Sequence, residues 1–154
     1  MRLRIVRACA VVVVACATAF TGLTPAAAHD LDSDRFRVAL RPGAEHYEDV
    51  GREGPSIGDY FVSRDKVYHR GNRVGRLNFH CDVTRAGGGR FAYQCDYNMF
   101  LRGRGTIAMQ GLLAFSEKGP HGEPALAIIG GTGWYVHASG TATVVEHFFH
   151  IDMR

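Results

Sequence analysis

The chain has 154 residues, enough for one domain with a single core, and a formal net charge of +3. The surplus of base lies in Arg2, Arg4 and Arg7, ahead of the first acid, Asp30. Beyond residue 28 bases and acids are equal in number, which excludes any net-charge argument for a nucleic-acid or anionic-lipid partner.

Those arginines open an export signal. The apolar run Ala8–Phe20 follows, then Thr21-Gly22-Leu23-Thr24-Pro25, which stops a helix, then Ala26-Ala27-Ala28, a small-residue cleavage pattern before His29. Residues 1–28 therefore read as a cleaved signal peptide and the protein as secreted or extracellular, with no stable membrane insertion once the signal is gone. An uncleaved anchor is the alternative, because Ala8–Ala28 is nearly long enough to span a bilayer. Val13-Val14-Ala15-Cys16 loosely matches a lipoprotein box but follows Arg7 closely, so lipidation at Cys16 is the second alternative to cleavage after Ala28.

The rest carries short alternating runs separated by glycine-rich turns, and no helix-period apolar stretch of useful length. Predicted strands cover 35–40, 57–64, 66–69, 74–84, 91–101, 106–115, 125–129, 136–145 and 146–153. Pro42–Ser56 reads as a loop crossing a barrel end, and Ser116–Pro124 as a second loop. The expected fold class is all-β: a closed eight-stranded antiparallel β-barrel, with 29–56 supplying an N-terminal strand and loop and 57–154 the rest.

The hairpin around Arg85-Ala86-Gly87-Gly88-Gly89-Arg90 carries the most local information. A turn centred on Gly88 sets Cys81 opposite Cys95, Leu77 opposite Met99, Phe79 opposite Tyr97 and Val83 opposite Tyr93, all on one face. Asn78, His80 and Asp82 then face Asn98, Asp96 and Gln94 on the other. A one-residue slip would scramble both faces. In an oxidising compartment the surviving pair Cys81 and Cys95 forms a disulfide, with a free thiol pair as the alternative.

Chemistry-bearing motifs are sparse. Gly130, Gly131, Thr132 and Gly133 follow an apolar strand, but the third glycine of a dinucleotide fingerprint would fall at Val136 and the next segment reads as strand. The segment is expected to be a tight bend or bulge. His147 and His150 point to opposite sides of a strand, and Glu146 has no companion ligands, so no metal is expected. His80 facing Asp96 is either an oriented acid–base pair or an exposed cross-strand pair. No G-x-S-x-G signature is present.

In order along the chain stand Gly58-Asp59, Lys66-Val67-Tyr68, Val74-Gly75 with Cys81, Gly105-Thr106-Ile107-x-Met109-Gln110-Gly111, Leu126-Ala127-Ile128-Ile129-Gly130-Gly131-Thr132-Gly133-Trp134-Tyr135, and Gly140. This set resembles the allene oxide cyclase/dirigent barrel superfamily, especially its secreted bacterial members, over about residues 57–146. The resemblance implies an eight-stranded antiparallel barrel, often a homotrimer, with a mostly apolar cavity that steers cyclisation, isomerisation or coupling of a small molecule without a cofactor. Four positions depart from it. Cys81 is paired with Cys95, the segment Phe36–Leu40 offers no carboxylate, Leu112 and Leu113 stand where the cyclases have a tyrosine, and Ser139 precedes Gly140 where dirigent proteins have an arginine. Neither specific activity is therefore carried over.

The expected function is a small-molecule-binding barrel for an apolar ligand, with Phe79, Tyr97, Met99, Met109 and Trp134 as cavity wall and His147 as a polar group. The alternative is a non-catalytic binding or structural barrel filled by its own side chains. A metal-dependent hydrolase would need three ligands converging near His147 or His150.

Overall fold

The computed structural model describes residues 31, 33–116 and 118–154. The predicted signal peptide, with Cys9, Cys16 and the cleavage point, lies outside the described residues. Among the described residues nine strands follow in chain order: β1 Arg35–Glu48, β2 Tyr60–His69, β3 Asn72–Gly87, β4 Arg90–Leu101, β5 Gly105–Ser116, β6 Gly119–Pro120, β7 Ala125–Gly131, β8 Gly140–Val145 and β9 Phe148–Met153. Consecutive pairings run β4-β3-β2-β1-β9-β8-β7-β5, and β5 also pairs with β4, which closes an eight-stranded antiparallel barrel. The two-residue β6 only extends the end of β5. Closure satisfies the backbone groups that an open sheet would leave at its edges.

The strands alternate because one face must fill the barrel. Leu77, Cys81 and Val83 of β3, Cys95, Tyr97 and Met99 of β4, Ile107 and Met109 of β5, and Leu126 and Ile128 of β7 are all buried. The β3–β4 register is the expected one from Leu77↔Met99 through Cys81↔Cys95 to Val83↔Tyr93. Cys81 and Cys95 are disulfide-bonded. Past Val83 the register shifts by one residue, so Arg85 faces Ala92. A bulge at Thr84 thus moves the turn to Gly88-Gly89, one half-step beyond Gly88.

Three boundaries differ from expectation. The expected strands 57–64 and 66–69 merge into one, β2, which begins only at Tyr60 and continues because Asp65 points inward rather than ending a run. The expected loop 42–56 begins as strand: β1 continues through Pro42 to Glu48 against β2, with a register shift between Arg41 and Ala44. Pro42 is tolerated because β9 ends its pairing at Ala39, leaving this half of β1 on an open edge. Gly43 makes the bulge possible, since a Cβ there would lie 1.8 Å from the Arg64 carbonyl oxygen. Finally, β8 starts at Gly140, because the chain leaves the 3-10 turn Gly133–Tyr135 through a further turn at 136–137, which takes up the start of the expected strand 136–145.

The four connections β1–β2, β3–β4, β5–β7 and β8–β9 gather at one end of the barrel, and β2–β3, β4–β5 and β7–β8 at the other. The second end is plugged by Leu77, Met99, Leu101, Ile107 and Met109, each at most 1% exposed. The first end is open.

Candidate functional site

The open end holds a cavity of about 760 Å³. Its walls are inward positions near the strand ends: Phe61 of β2, Phe79 of β3, Tyr93 and Tyr97 of β4, Leu113 and Phe115 of β5, and Val144 of β8. These aromatics touch one another. Phe61 meets Phe79 and Tyr93 edge-on at centroid distances of 5.6 and 5.8 Å, and Tyr93 meets Phe115 at 5.7 Å. Phe79 stacks on Tyr97 at 4.9 Å and 26°, and Tyr97 leans on buried Phe149 at 5.7 Å. Offset stacks and edge contacts are the arrangements that ring quadrupoles favour, so the walls are rigid as well as apolar.

Few polar groups reach this space. The Tyr97 hydroxyl makes no hydrogen bond to any described residue, and burial, then the negative charge of Asp65, pushes its pKa up to about 12. It therefore stays protonated at neutral pH. Glu123 and Glu146 lie at the rim. Glu146 occupies the β8–β9 turn with φ of 54°, in the left-handed region unusual for a residue with a side chain. No cation is among the lining residues.

Below Phe61 on the same face of β2 sit Ser63 and Asp65, both buried. The Ser63 hydroxyl donates to Asp65 Oδ1 at 2.8 Å, and the Gly43 N–H donates to the same oxygen at 3.2 Å. The carboxylate ties the β1 bulge to the barrel interior. The first strand offers no acid at Phe36–Leu40, and this carboxylate stands on the second strand instead. The available signal was parity: residues 61, 63, 65 and 67 share a face with apolar ends and a polar middle.

A second buried carboxylate organises the rim. Asp59 accepts from the Tyr47 hydroxyl at 2.7 Å, the Val50 N–H at 2.9 Å, and the Ser56 N–H and hydroxyl at 2.6 and 3.0 Å. These donors, Tyr47 first, lower its pKa to about 2. The Asp59 carbonyl accepts from Val83 N–H, so the β1–β2 loop is clamped beside the mouth.

Of the side chains expected to line a cavity, Phe79 and Tyr97 do so. Met99 and Met109 do not: they point inward but lie in the filled half, 0% and 1% exposed. Trp134 is on neither wall. The 3-10 turn carries it outward at the plugged end, 66% exposed, with the Arg104 guanidinium 4.9 Å from its ring. His147 sits exposed in the β8–β9 turn, where its carbonyl accepts from Leu40 N–H at 2.7 Å. His80 does pair with Asp96 along the backbone, yet its imidazole approaches Asp82 at 3.5 Å on the outer face. Among the described residues no three His, Cys, Asp or Glu side chains converge as metal ligands. Gly130–Gly133 form the expected tight bend, held by mutual bonds between Thr106 and Thr132: Thr132 N–H to the Thr106 carbonyl, and Thr106 N–H to Thr132 Oγ1. No described helix is long and apolar enough to cross a membrane.

Residues 42–150 match the family described as the allene oxide cyclase barrel like domain. No curated protein matches the chain. Among solved structures, one titled pyocyanin demethylase superposes with a TM-score of 0.67 at 21% identity, covering 78% of this chain and 99% of that one. At that identity the likeness concerns the fold.

Proposed function

The chain belongs to the allene oxide cyclase barrel-like family, and on that premise we propose that it is an exported barrel that binds a small, largely apolar molecule in its open end. The observation that carries this reading is the cavity of about 760 Å³ walled by stacked aromatics at one end of an otherwise filled barrel. A space of that size suits one small ligand. Phe61, Phe79, Tyr93 and Phe115 supply flat contact area, and the Tyr97 hydroxyl supplies one donor to fix orientation. A rigid pocket of this kind can hold a flexible substrate in a reactive shape and keep water from an intermediate, which is the route to an isomerase or cyclase activity. The solved structure titled pyocyanin demethylase is consistent with such a barrel hosting small-molecule chemistry.

A non-catalytic binding barrel is the second reading, supported by the fact that only half of the interior is open. The test is mass spectrometry of small molecules released from the folded protein, with thermal shifts across a panel of polycyclic aromatics, polyenes and fatty acids. A bound apolar species, or a saturable rise in melting temperature that Phe79→Ala reduces, is expected. No bound species and no shift with any panel member would overturn the proposal. Conversion of the bound species, followed by chromatography, separates the catalytic reading from the binding one.

A further inference from the structure

On the outer wall, away from the cavity, a depression of about 500 Å³ lies where β1 passes between β9 and β2. Its floor is Ala39, which pairs with Phe148 of β9 on one side and Tyr68 of β2 on the other. A small residue between two aromatic neighbours leaves a hollow on the sheet surface. Arg37 and Arg41 flank Ala39 on the same face of β1. The Arg37 guanidinium lies 4.4 Å from the Phe148 ring centroid and the Arg41 guanidinium 4.4 Å from that of Tyr68. Neither guanidinium has an ion pair or hydrogen bond among the described residues. Arg35 and Arg70 also line the hollow, and no described carboxylate does. The adjacent Asp152 is engaged by Arg35 at 3.1 Å. Lys66, opposite Arg41, adds further positive charge nearby.

His69 borders the hollow and is 6% exposed. Its Nδ1 lies 2.9 Å from the Arg37 carbonyl oxygen, while its buried Nε2 has no partner among the described residues. With Nδ1 against a carbonyl oxygen as the protonated nitrogen, Nε2 of the neutral ring is an acceptor, so His69 walls the hollow without donating into it.

We propose that this hollow is a binding site for the oxyanion of a small molecule: a phosphate, sulfate or carboxylate group seated over Ala39 between Arg37 and Arg41. Stacking on Phe148 and Tyr68 fixes the two planar guanidinia in advance, so little side-chain freedom is lost when they form charge-assisted hydrogen bonds. The site is separate from the cavity, and its failure would leave the cavity proposal untouched.

The test is isothermal titration of the folded protein with inorganic phosphate, sulfate and benzoate at low salt, and sedimentation with phosphatidylglycerol vesicles. Saturable binding of at least one small anion is expected with a Kd below about 1 mM. The expected weakening is tenfold or more in Arg37→Gln, Arg41→Gln and the floor-filling Ala39→Phe. Arg52→Gln, on the distant β1–β2 loop, should bind as wild type. The three small probes distinguish phosphoryl, sulfuryl and carboxylate sources. No saturable binding, equal weakening by Arg52→Gln, or binding to vesicles without binding of any small anion would overturn the proposal. The arginine variants change only exposed side chains, so they remain informative should Ala39→Phe fail to fold.

Discussion

Phe79 and Tyr97 stack at 4.9 Å, across the β3–β4 hairpin, directly between the open cavity and the filled half of the barrel. Tyr97 is 7% exposed, whereas Phe79 is only partly buried, so the pair presents a ring to the cavity and rests on Phe149 behind it. Phe79→Ala should enlarge the cavity and remove the stacking face. The expected outcome is at least a tenfold loss of affinity for an apolar ligand found by thermal shift, with a stability loss of about 2–4 kcal/mol in urea. Tyr97→Phe keeps the ring and removes the donor, so it should weaken ligands bearing a carbonyl and leave hydrocarbons unaffected.

The disulfide closes a short hairpin, with the two cysteines 14 positions apart. Cross-linking so local a loop removes limited entropy from the unfolded chain, about 3 kcal/mol on the loop-entropy account. The double variant Cys81→Ala/Cys95→Ala should therefore fold and lose about 2–3 kcal/mol, read from urea denaturation with and without reductant. An unfolded product would show that the sulfurs do more than tie adjacent strands.

The Asp59 clamp gives a pH dependence with a definite sign. Its carboxyl titrates at about 2 when folded, against an ordinary value of 3.8. A lowered folded value adds stability that is fully present above the ordinary value and is lost as pH falls towards 2. Proteolysis at Arg52, inside the clamped loop, should accelerate between pH 4 and 2 with an acid-tolerant protease, or at neutral pH with trypsin in Asp59→Asn. If the loop of Asp59→Asn is as resistant as wild type, the carboxylate is not what holds it.

Gly131 tests the reading of the glycine bend. A Cβ there would meet the Thr106 carbonyl oxygen at 2.2 Å and Tyr135 atoms at 2.8 Å. The obstacle is backbone, which cannot move aside as a side-chain tip can. Gly131→Ala should cost about 1–3 kcal/mol, visible as a lower melting temperature, without altering ligand affinity at the far end of the barrel.

How much of this was legible follows from which residues were constrained twice. Cys81 and Cys95 were placed by both the sulfur pairing and the apolar face, and their register is correct. The Thr84 bulge carried no such double constraint, because one extra residue in an exposed hairpin tip changes no buried side chain. β1 beyond Pro42 gave no alternation, since Arg41–Glu48 are exposed on both faces. The family fold was readable from ordered glycine and strand motifs. The site was half readable: aromatic type and inward parity found Phe79 and Tyr97. They could not tell Met99, in the plug, from a wall residue, because depth along a barrel depends on strand stagger. Trp134 failed for another reason, a 3-10 turn that breaks the period-2 pattern. Asp65 was missed because a charged residue was read as the break between two strands.

That missed carboxylate yields the last prediction. Asp65 accepts from Ser63 and Gly43 and helps raise the Tyr97 phenol to about 12. Burial is the larger cause and remains when the charge is removed, so Asp65→Asn should move the Tyr97 titration down part of the way, not to its ordinary value of 10.0. The shift is measurable as the difference in phenolate absorbance between Asp65→Asn and the same variant carrying Tyr97→Phe. That subtraction also cancels Tyr47, whose own value is raised to about 12 through Asp59. Asp65→Ala should go further, leaving the buried Ser63 hydroxyl without that acceptor at a cost of about 1–3 kcal/mol. A Tyr97 titration unmoved in Asp65→Asn would mean that the carboxylate does not reach the cavity floor electrostatically, and its role would then be confined to holding the β1 bulge.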